Sequence, residues 1–224
     1  MSPMRIQKYL SQKGICSRRK AEEFILKGWV MLNGETVNEL GVIIDPQKDV
    51  ISLDDEAKKE LKSFVYLLFY KPIGVVTHSP QYDEKEIKDL LPVKYKHLAP
   101  IGRLDKDSEG LILLTNDGIF SKKMLDHLNP HERVYEIKVN KPLTLEMMSI
   151  ISEGMYLGRE KTKPCNIIKL APLRYKLTLI EGKNRQIRRM IQKVGSFVTE
   201  LKRISFGNYH LDNLKGKKYD EFFL

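Results

Sequence analysis

Hydrophobic positions along this chain predict more strands than helices. Strands are expected where apolar residues run together or alternate with polar ones, at residues 65–70, 111–114, 131–139, 167–168, 175–180 and 198–204. Apolar residues at three- and four-residue spacing predict helices after residue 118, at 143–151 and at 185–194. Because strands outnumber helices and do not alternate strictly with them, the pattern favours an α+β fold with a mostly antiparallel sheet.

Residues 1–55 have the pattern of a compact αβ module. Ser17 is a suitable N-cap for a helix with a recurring apolar face, and Gly28 is a suitable stop for the same helix. Asn33-Gly34 lies between two short β-prone runs, which predicts a hairpin with a type I′ turn. The module is therefore expected to fold as a unit separate from the longer part of the chain.

A densely charged stretch separates this module from the remainder of the chain. We predict a linker at residues 56–63, between a first domain at 1–55 and a second domain at 64–224. A length of 224 residues fits one medium domain plus a small one, and a hydrophobic content of 42% suffices for a core.

Composition excludes several classes of protein. No apolar run approaches the ~20 residues that span a bilayer, and the N-terminus has no apolar signal segment, so we expect a cytosolic protein with no membrane partner. Cys16 and Cys165 form no CxxC pair, and no disulfide is expected in that compartment. The five histidines show no metal-ligand spacing and no nucleotide-binding loop is present, so neither a metal nor a cofactor is expected.

The net charge of +10 is distributed unevenly and indicates a polyanionic partner. Residues 159–224 hold 16 Lys or Arg against 6 Asp or Glu, and the first 30 residues hold 7 against 2. Arg18, Arg19 and Lys20 occupy the first turn of a predicted helix, where cations oppose the helix dipole. Contact with RNA phosphates accounts for them, whereas a basic surface that only aids solubility is the alternative.

The segment from Gly102 to Gly110 is the best candidate for a reactive site. It is a polar loop joined directly to the aliphatic run at 111–114, and a buried strand would hold such a loop in place. We expect Asp105 to be its catalytic side chain. Asp105 could instead form a turn or cap a helix. The acidic spacing also resembles the start of an EF-hand calcium loop, but Asn116 stands where that loop needs a bidentate glutamate.

Four motifs follow one another along the chain, namely Tyr70-Lys71-Pro72-Ile73-Gly74-Val75-Val76, Gly102-Arg103-Leu104-Asp105, Val134-Tyr135-Glu136-Ile137 and Glu181-Gly182-Lys183-Asn184-Arg185-Gln186-Ile187-Arg188-Arg189-Met190. In this order they resemble the motifs of the RsuA/RluB/RluE/RluF-type ribosomal RNA pseudouridine synthases, and are most similar to RluF-like members. The resemblance covers nearly the whole chain and includes an N-terminal S4-type RNA-binding module. It implies a synthase domain built on a mixed, largely antiparallel sheet flanked by helices.

The resemblance also implies catalytic roles at three positions. Asp105 matches the family's essential aspartate, which could attack C1′, attack C6 or assist elimination. Tyr135 matches the active-site tyrosine, which stacks on the uracil and takes or relays the C5 proton. Arg188 matches the cation that pairs with the aspartate. Ordinary alternatives are a core aromatic for Tyr135 and a phosphate contact for Arg188.

Further residues are expected to hold the substrate. Leu104 and Ile187 match apolar walls of the base pocket, although both could simply belong to the core. Arg103 resembles the residue that holds or replaces the flipped nucleotide. The predicted RNA-backbone contacts are Lys183, Arg185 and Arg189. The sequence Lys183-Asn184-Arg185 departs from the Tyr-His of many family members, which leaves the target uridine open.

These expectations lead to a site-specific RNA pseudouridine synthase acting as a monomer. The expected substrate is structured RNA, with large-subunit ribosomal RNA foremost and transfer RNA as a second option. The alternative is a non-catalytic S4-type RNA-binding or ribosome-assembly factor, which the charge pattern alone would support equally well. The acid, tyrosine and arginine set favours the enzyme, because binding alone does not require it.

Overall fold

The computed structural model describes residues 2–224, which form two compact units. The first unit runs from the N-terminal region to Tyr66 and also includes Thr115–Lys123. The second unit comprises Leu67–Leu114 and Met124–Leu224. The boundary that the sequence predicts before residue 64 lies close to this division, and the exact domain limits stay a prediction.

Short strands and helices build the first unit. They are β1 (Met4–Arg5), α1 (Ile6–Gln12), α2 (Arg18–Leu26), β2 (Val30–Leu32), β3 (Glu35–Val37), β4 (Ile43–Ile44), β5 (Ile51–Leu53) and α3 (Asp55–Leu61). The predicted cap of α2 is confirmed, because the Ser17 hydroxyl accepts a hydrogen bond from the Lys20 N–H. The predicted turn is confirmed by Asn33 and Gly34, which both have positive φ angles as a type I′ turn requires.

Helix α3 occupies most of the segment that the sequence analysis treats as a linker. Asp54 caps this helix by accepting a hydrogen bond from the Ala57 N–H at 2.8 Å. Ala57 is fully buried in a hydrophobic cluster with Ile6, Phe24 and Val30. The segment is therefore ordered on the core of the first unit, since Ala57 and the partly buried Leu61 give the charged helix apolar contacts.

The second unit is organised around a large sheet. Its strands and helices, together with the connecting helix α4, are β6 (Tyr66–Lys71), β7 (Ala99–Ile101), β8 (Glu109–Thr115), α4 (Gly118–Met124), β9 (Arg133–Val139), α5 (Leu145–Glu153), β10 (Tyr156–Leu157), β11 (Glu160–Lys161), β12 (Asn166–Ala171), β13 (Arg174–Leu179), α6 (Gln186–Lys193), β14 (Val198–Phe206), β15 (Tyr209–His210) and β16 (Tyr219–Phe222). Residues 87–90, 93–95 and 211–214 form 3₁₀ turns. No helix among residues 2–224 combines the length and the apolar character needed to cross a membrane.

The main sheet has the order β12-β13-β9-β14-β8-β6-β16, with β15 paired to β14 and β7 paired to β8. Strands β12, β13, β9 and β14 pair antiparallel, whereas β14 and β8 pair in parallel. This arrangement confirms the predicted α+β class with a mixed, mostly antiparallel sheet. The parallel pair places the start of β8, and hence the loop before it, beside β14 and β9.

Candidate active site

A cavity of about 380 Å³ lies in the second unit where the loop before β8 meets β9, β14 and the start of α6. Its volume falls within the ~300–1,000 Å³ typical of small-ligand sites. The three predicted catalytic residues, Asp105, Tyr135 and Arg188, all line it, and so do Leu104 and Ile187. Residues that lie up to 104 positions apart along the chain, from Gly102 to Phe206, therefore contribute to one site.

The loop that carries Asp105 is held by buried hydrogen bonds on both sides of the aspartate. The Thr77 hydroxyl accepts from the Leu104 N–H at 3.0 Å and donates to the Leu104 carbonyl at 2.6 Å. On the other side, the ammonium of Lys71 donates to the Ser108 carbonyl at 2.6 Å. These contacts fix the backbone around Asp105 without engaging its carboxylate.

Lys71, from the first of the four motifs, is a fully buried lysine beside the site. Burial lowers the pKa of Lys71 to about 8, and the negative charges of Asp105, Asp107 and Glu109 oppose that shift. The lysine is therefore mostly charged at neutral pH. Its charge offsets part of the negative charge that the acidic loop concentrates beside the cavity.

Asp105 is one-third exposed, and its carboxylate faces Arg185 rather than Arg188. The closest approach is 3.7 Å between Arg185 Nη1 and Asp105 Oδ2, which is too long for a hydrogen bond. Arg185 instead makes two hydrogen bonds to Asp107, at 3.1 and 2.9 Å. Among residues 2–224, no protein group donates a hydrogen bond to the Asp105 carboxylate.

The expected pairing of Arg188 with Asp105 is wrong in this structure, because Arg188 lies against Asp107. Its Nε is 3.3 Å from Asp107 Oδ2, and Nη2 donates to the Asp107 carbonyl at 2.7 Å. Nη1 donates to the Val198 carbonyl at 3.2 Å, so the guanidinium bridges the loop and β14. Burial lowers the pKa of Arg188, and Asp107 opposes that shift.

Asp107 contacts two guanidiniums, that of Arg188 in α6 and that of Arg185, the N-cap residue of the same helix. Burial works against its ionisation, but the hydrogen bond from Arg185 and the charges of Arg188 and Arg185 together hold the pKa of Asp107 below its usual value. Asp107 thus remains ionised at neutral pH and fixes the start of α6 to the Asp105 loop.

The turn before α6 is shaped by a buried glutamine. Gln186 accepts from the Lys183 N–H at 3.0 Å and donates to Glu181 at 2.7 Å. Arg185, the N-cap, has a left-handed backbone with a φ of 46°. This strained turn directs the Arg185 side chain toward Asp107. The sequence pattern predicts that α6 begins at Arg185. In the structure the helix begins at Gln186, and Arg185 is the residue before it.

Tyr135 lies on β9 between two strands that also reach the cavity. It stands opposite Leu177 on β13 and opposite Arg203 on β14, and it is mostly buried. Gly110 on β8 pairs with Arg203 from the other side. A Cβ at Gly110 would come within 2.3 Å of the Arg203 carbonyl, so only glycine allows β8 and β14 to approach this closely.

The four predicted RNA contacts in the second unit differ in their exposure and in whether they form ion pairs. Arg103 is exposed at the cavity, and Arg189 is half-buried and forms no ion pair among residues 2–224, although its charge helps to lower the pKa of Glu160. Lys183 pairs with Glu160 at 2.9 Å, and Arg185 is held by Asp107. Two of these four cations are therefore available for RNA phosphates without breaking an ion pair.

The three basic residues in the first turn of α2, in the first unit, also differ in whether they form ion pairs. Arg18 and Arg19 are exposed and form no ion pair within the described part of the chain. Lys20 forms ion pairs with Glu23 and Glu60. The two arginines are the freer pair for contact with a polyanion, whereas Lys20 contributes to the packing of α3.

Several side chains that line the cavity were not predicted from the sequence, and Arg133, Arg203 and Phe206 are among them. Arg203 shares one face of β14 with Leu201 and, because a β-bulge lies between Arg203 and Ser205, also with Phe206, and all three are buried. Period-two alternation could have placed Arg203 with Leu201, but Ile204 lies out of phase and made the pattern ambiguous. Within residues 2–224, no group of three or more His, Cys, Asp or Glu is arranged to hold a metal ion.

Comparison with known proteins agrees with this architecture. A family model described as RNA pseudouridylate synthase matches residues 65–193, and the S4 domain model matches residues 4–51. The chain is 38% identical to Dual-specificity RNA pseudouridine synthase RluF of Escherichia coli (strain K12), over 95% of this chain and 73% of that protein. It is 39% identical to Ribosomal large subunit pseudouridine synthase B of Bacillus subtilis (strain 168), over 95% of this chain and 88% of that protein.

A solved structure shares the fold across both units. A crystal structure of a pseudouridylate synthase superposes with a TM-score of 0.71 at 27% identity, covering 98% of this chain and 96% of the other. The family model alone spans more than half of the chain and includes the Asp105 loop, Tyr135 and all of α6. The chain belongs to the RNA pseudouridylate synthase family and carries an N-terminal S4 domain.

Proposed function

We propose that this protein converts specific uridines of large-subunit ribosomal RNA to pseudouridine. Membership in the synthase family gives the reaction, which is an isomerisation. Ribosomal RNA is favoured because one relative is named as a large-subunit synthase and the chain carries an S4 RNA-binding domain. The name of the other relative includes dual specificity, which leaves transfer RNA as a second substrate to test.

Asp105 is proposed as the residue that reacts with the nucleotide. The observation that carries this assignment is an aspartate in the cavity wall whose carboxylate is one-third exposed and receives no hydrogen bond within residues 2–224. A carboxylate can add to an electrophilic carbon or stabilise cationic character at the sugar. The chemistry is compatible with attack at C1′, attack at C6 or assisted elimination.

Tyr135 is proposed to face the uracil and to take or relay the proton from C5. During the reaction the N1–C1′ bond breaks, the uracil turns, and C5 bonds to C1′. The C5 proton leaves and N1 gains a proton, so no cofactor or external group is consumed. The apolar side chains of Leu104 and Ile187, both buried at the cavity, suit the faces of a pyrimidine removed from its stack.

Arg188 is proposed as a positioning residue rather than as a direct partner of Asp105. Its guanidinium ties the backbone of the Asp105 loop to β14 through the Asp107 and Val198 carbonyls. Loss of these bonds would let the loop move relative to Tyr135. Displacements of about 1 Å in such a site can reduce a rate by about 100-fold.

RNA is proposed to contact both units. Arg18 and Arg19 suit the phosphates of a folded RNA, since both are exposed and free of carboxylates in the described chain. Arg103 is placed at the cavity, where it could hold or replace the flipped nucleotide. Arg189, Lys183 and Arg185 are the remaining proposed contacts, although the last two would have to exchange an ion pair for a phosphate. The protein is proposed to act as a cytosolic monomer.

The decisive experiment maps pseudouridine in ribosomal and transfer RNA from cells with and without the gene, and in RNA treated with purified protein. One or a few uridines should be modified by the wild type and by an Asp212→Asn variant, which changes an acid outside the cavity. Asp105→Asn should abolish modification while RNA binding persists. Modification by Asp105→Asn at the wild-type rate would refute the assigned role, and wild-type protein that modifies neither RNA would refute the proposed substrate.

A further inference from the structure

Arg203 is a buried cation that the assigned roles leave unused. Its side chain is 2% exposed and lines the same cavity as Asp105 and Tyr135. Nε donates to the Leu111 carbonyl at 2.7 Å, but Nη2 is buried without a hydrogen-bond partner among residues 2–224. No acidic side chain forms an ion pair with Arg203 within that range.

An unpaired guanidinium at this depth is unfavourable for the folded protein. Removing a charge from water without a compensating partner destabilises the folded state, and an unsatisfied buried donor destabilises it further. Partial compensation comes from Phe206, whose ring centroid lies 5.2 Å from Arg203 Cζ. The guanidinium thus lines the cavity without an acidic partner among residues 2–224.

A second guanidinium strengthens the positive field at this wall of the cavity. Arg133 Cζ lies 4.8 Å from the centroid of the same Phe206 ring, and Arg133 also lines the cavity. Burial lowers the pKa of Arg133, Tyr135 opposes that shift, and the like charge of Arg203 adds to it. Two cations that repel each other and lack carboxylates within residues 2–224 form a site for negative charge.

The chemistry of uracil supplies the missing acceptor. When the N1–C1′ bond breaks, its electron pair stays with the base and is delocalised onto the carbonyl oxygens O2 and O4. Addition of Asp105 at C6 would also place negative charge on O4, because the electron pair of the C5–C6 double bond moves into the C4 carbonyl. The electron pair returns to carbon when C5 bonds to C1′, and the C5 proton is then lost. Each route left open for Asp105 therefore passes through a base with anionic oxygens.

We propose that Arg203 is a catalytic residue whose guanidinium, where it lines the cavity, donates a hydrogen bond to O2 or O4 of the bound uracil and stabilises the charge that develops there. This inference rests on the proposed isomerisation at the cavity. A backbone phosphate is a poorer match, because the donor is buried beside the aromatic rings of Tyr135 and Phe206, which suit a flat base. A preorganised donor aimed at developing charge is worth about 10²–10³ in kcat.

The first test replaces Arg203 with methionine and compares it with Arg174→Met. Arg174 is exposed on β13, pairs with Glu200 and lies outside the cavity, so its variant has the same change in net charge. Arg203→Met should lower single-turnover kcat by about 10²–10³-fold and change the Kd for RNA by less than about threefold. Its melting temperature should stay the same or rise, because an unpaired buried charge is removed.

A structural role would give the opposite result, with stability and activity falling together. If Arg203→Met unfolds at a lower temperature and its kcat recovers where the protein is folded, the inference is overturned. Equal kcat in Arg203→Met, Arg174→Met and wild type would also overturn it. Wild-type protein without activity would instead contradict the proposed function, so the two failures are distinguishable.

The second test changes the acceptor instead of the donor. RNA is prepared with 2-thiouridine or 4-thiouridine at the mapped target, because sulfur accepts hydrogen bonds more weakly than oxygen. One of the two substitutions should slow the wild type and Arg174→Met, yet cause no further loss in Arg203→Met. If each sulfur substitution lowers kcat by the same factor in Arg203→Met as in wild type, the two changes act independently. That result would refute the hydrogen bond.

Discussion

Replacing Lys71 with methionine tests whether burial of the charged ammonium beside the Asp105 loop destabilises the folded protein. The pKa of Lys71 is lowered from 10.5 to about 8, mainly by burial. Between these values the unfolded chain keeps a proton that the folded chain has lost, so the free energy of unfolding rises with pH. Each pKa unit corresponds to about 1.36 kcal/mol. Integrated from pH 7 to pH 10, the contribution of Lys71 is about 2.5 kcal/mol.

The assay is urea unfolding of both proteins at intervals between pH 7 and pH 10. Other groups titrate in this range, so the informative quantity is the free energy of unfolding of wild type minus that of Lys71→Met. This difference should increase by about 2.5 kcal/mol across the range. The comparison removes the common contributions of tyrosines and exposed lysines.

Lys106→Met is the matched control, because Lys106 lies on the same loop but is exposed and pairs with Glu84 at 2.8 Å. Its difference curve should change by less than about 0.5 kcal/mol, as expected for an exposed pair. A flat curve for Lys71→Met, or one that falls as pH rises, would show that burial does not penalise the ammonium and would refute the reasoning.

Three further predictions concern backbone, charge and RNA binding. Gly110→Ala should destabilise the fold by about 3 kcal/mol or more in urea unfolding, because the φ of Gly110 is 111° and a Cβ would clash with Arg203. The control Gly195→Ala also has a positive φ but has open space around it, and it should destabilise the fold by about 1 kcal/mol. Asp107→Asn should lower kcat/KM about tenfold by releasing Arg185. The folded pKa of Asp107 lies below 3.8, so the ionised carboxylate stabilises the fold fully above that pH and loses this effect in acid. The free energies of unfolding of wild type and Asp107→Asn should therefore become equal at low pH. The slope of log K for RNA against log salt should be about −0.7 to −0.9 per neutralised phosphate, and an affinity independent of salt would contradict the RNA contacts.

Features set by neighbouring residues were predictable from the sequence. Ser17 caps α2 as predicted, because its hydroxyl needs only the N–H three residues later, and Thr144 caps α5 in the same way. Asn33-Gly34 specifies its turn through positive φ angles. The strand at 133–139 alternates between buried and more exposed residues because period two and burial coincide there.

Features set by distant partners were not predictable. Strand β16 reaches the sheet edge beside β6, yet its sequence is charged and aromatic with weak alternation. Arg188 could have met either Asp105 or Asp107, since the two acids lie two residues apart on an irregular loop. Only the path of that loop, held by Lys71 and Thr77, decides which carboxylate faces the helix.

The choice of Asp107 over Asp105 gives the two acids separate tasks. A carboxylate held by several charge-assisted hydrogen bonds is strongly stabilised and therefore a weaker nucleophile. Asp107 takes two such bonds from Arg185 and the charge of Arg188, whereas Asp105 has a guanidinium only at 3.7 Å. The nearby cations can thus keep the loop in place without consuming the lone pairs of Asp105. An aspartate proposed to react with a nucleotide requires this combination of a rigid backbone and a carboxylate free of hydrogen bonds.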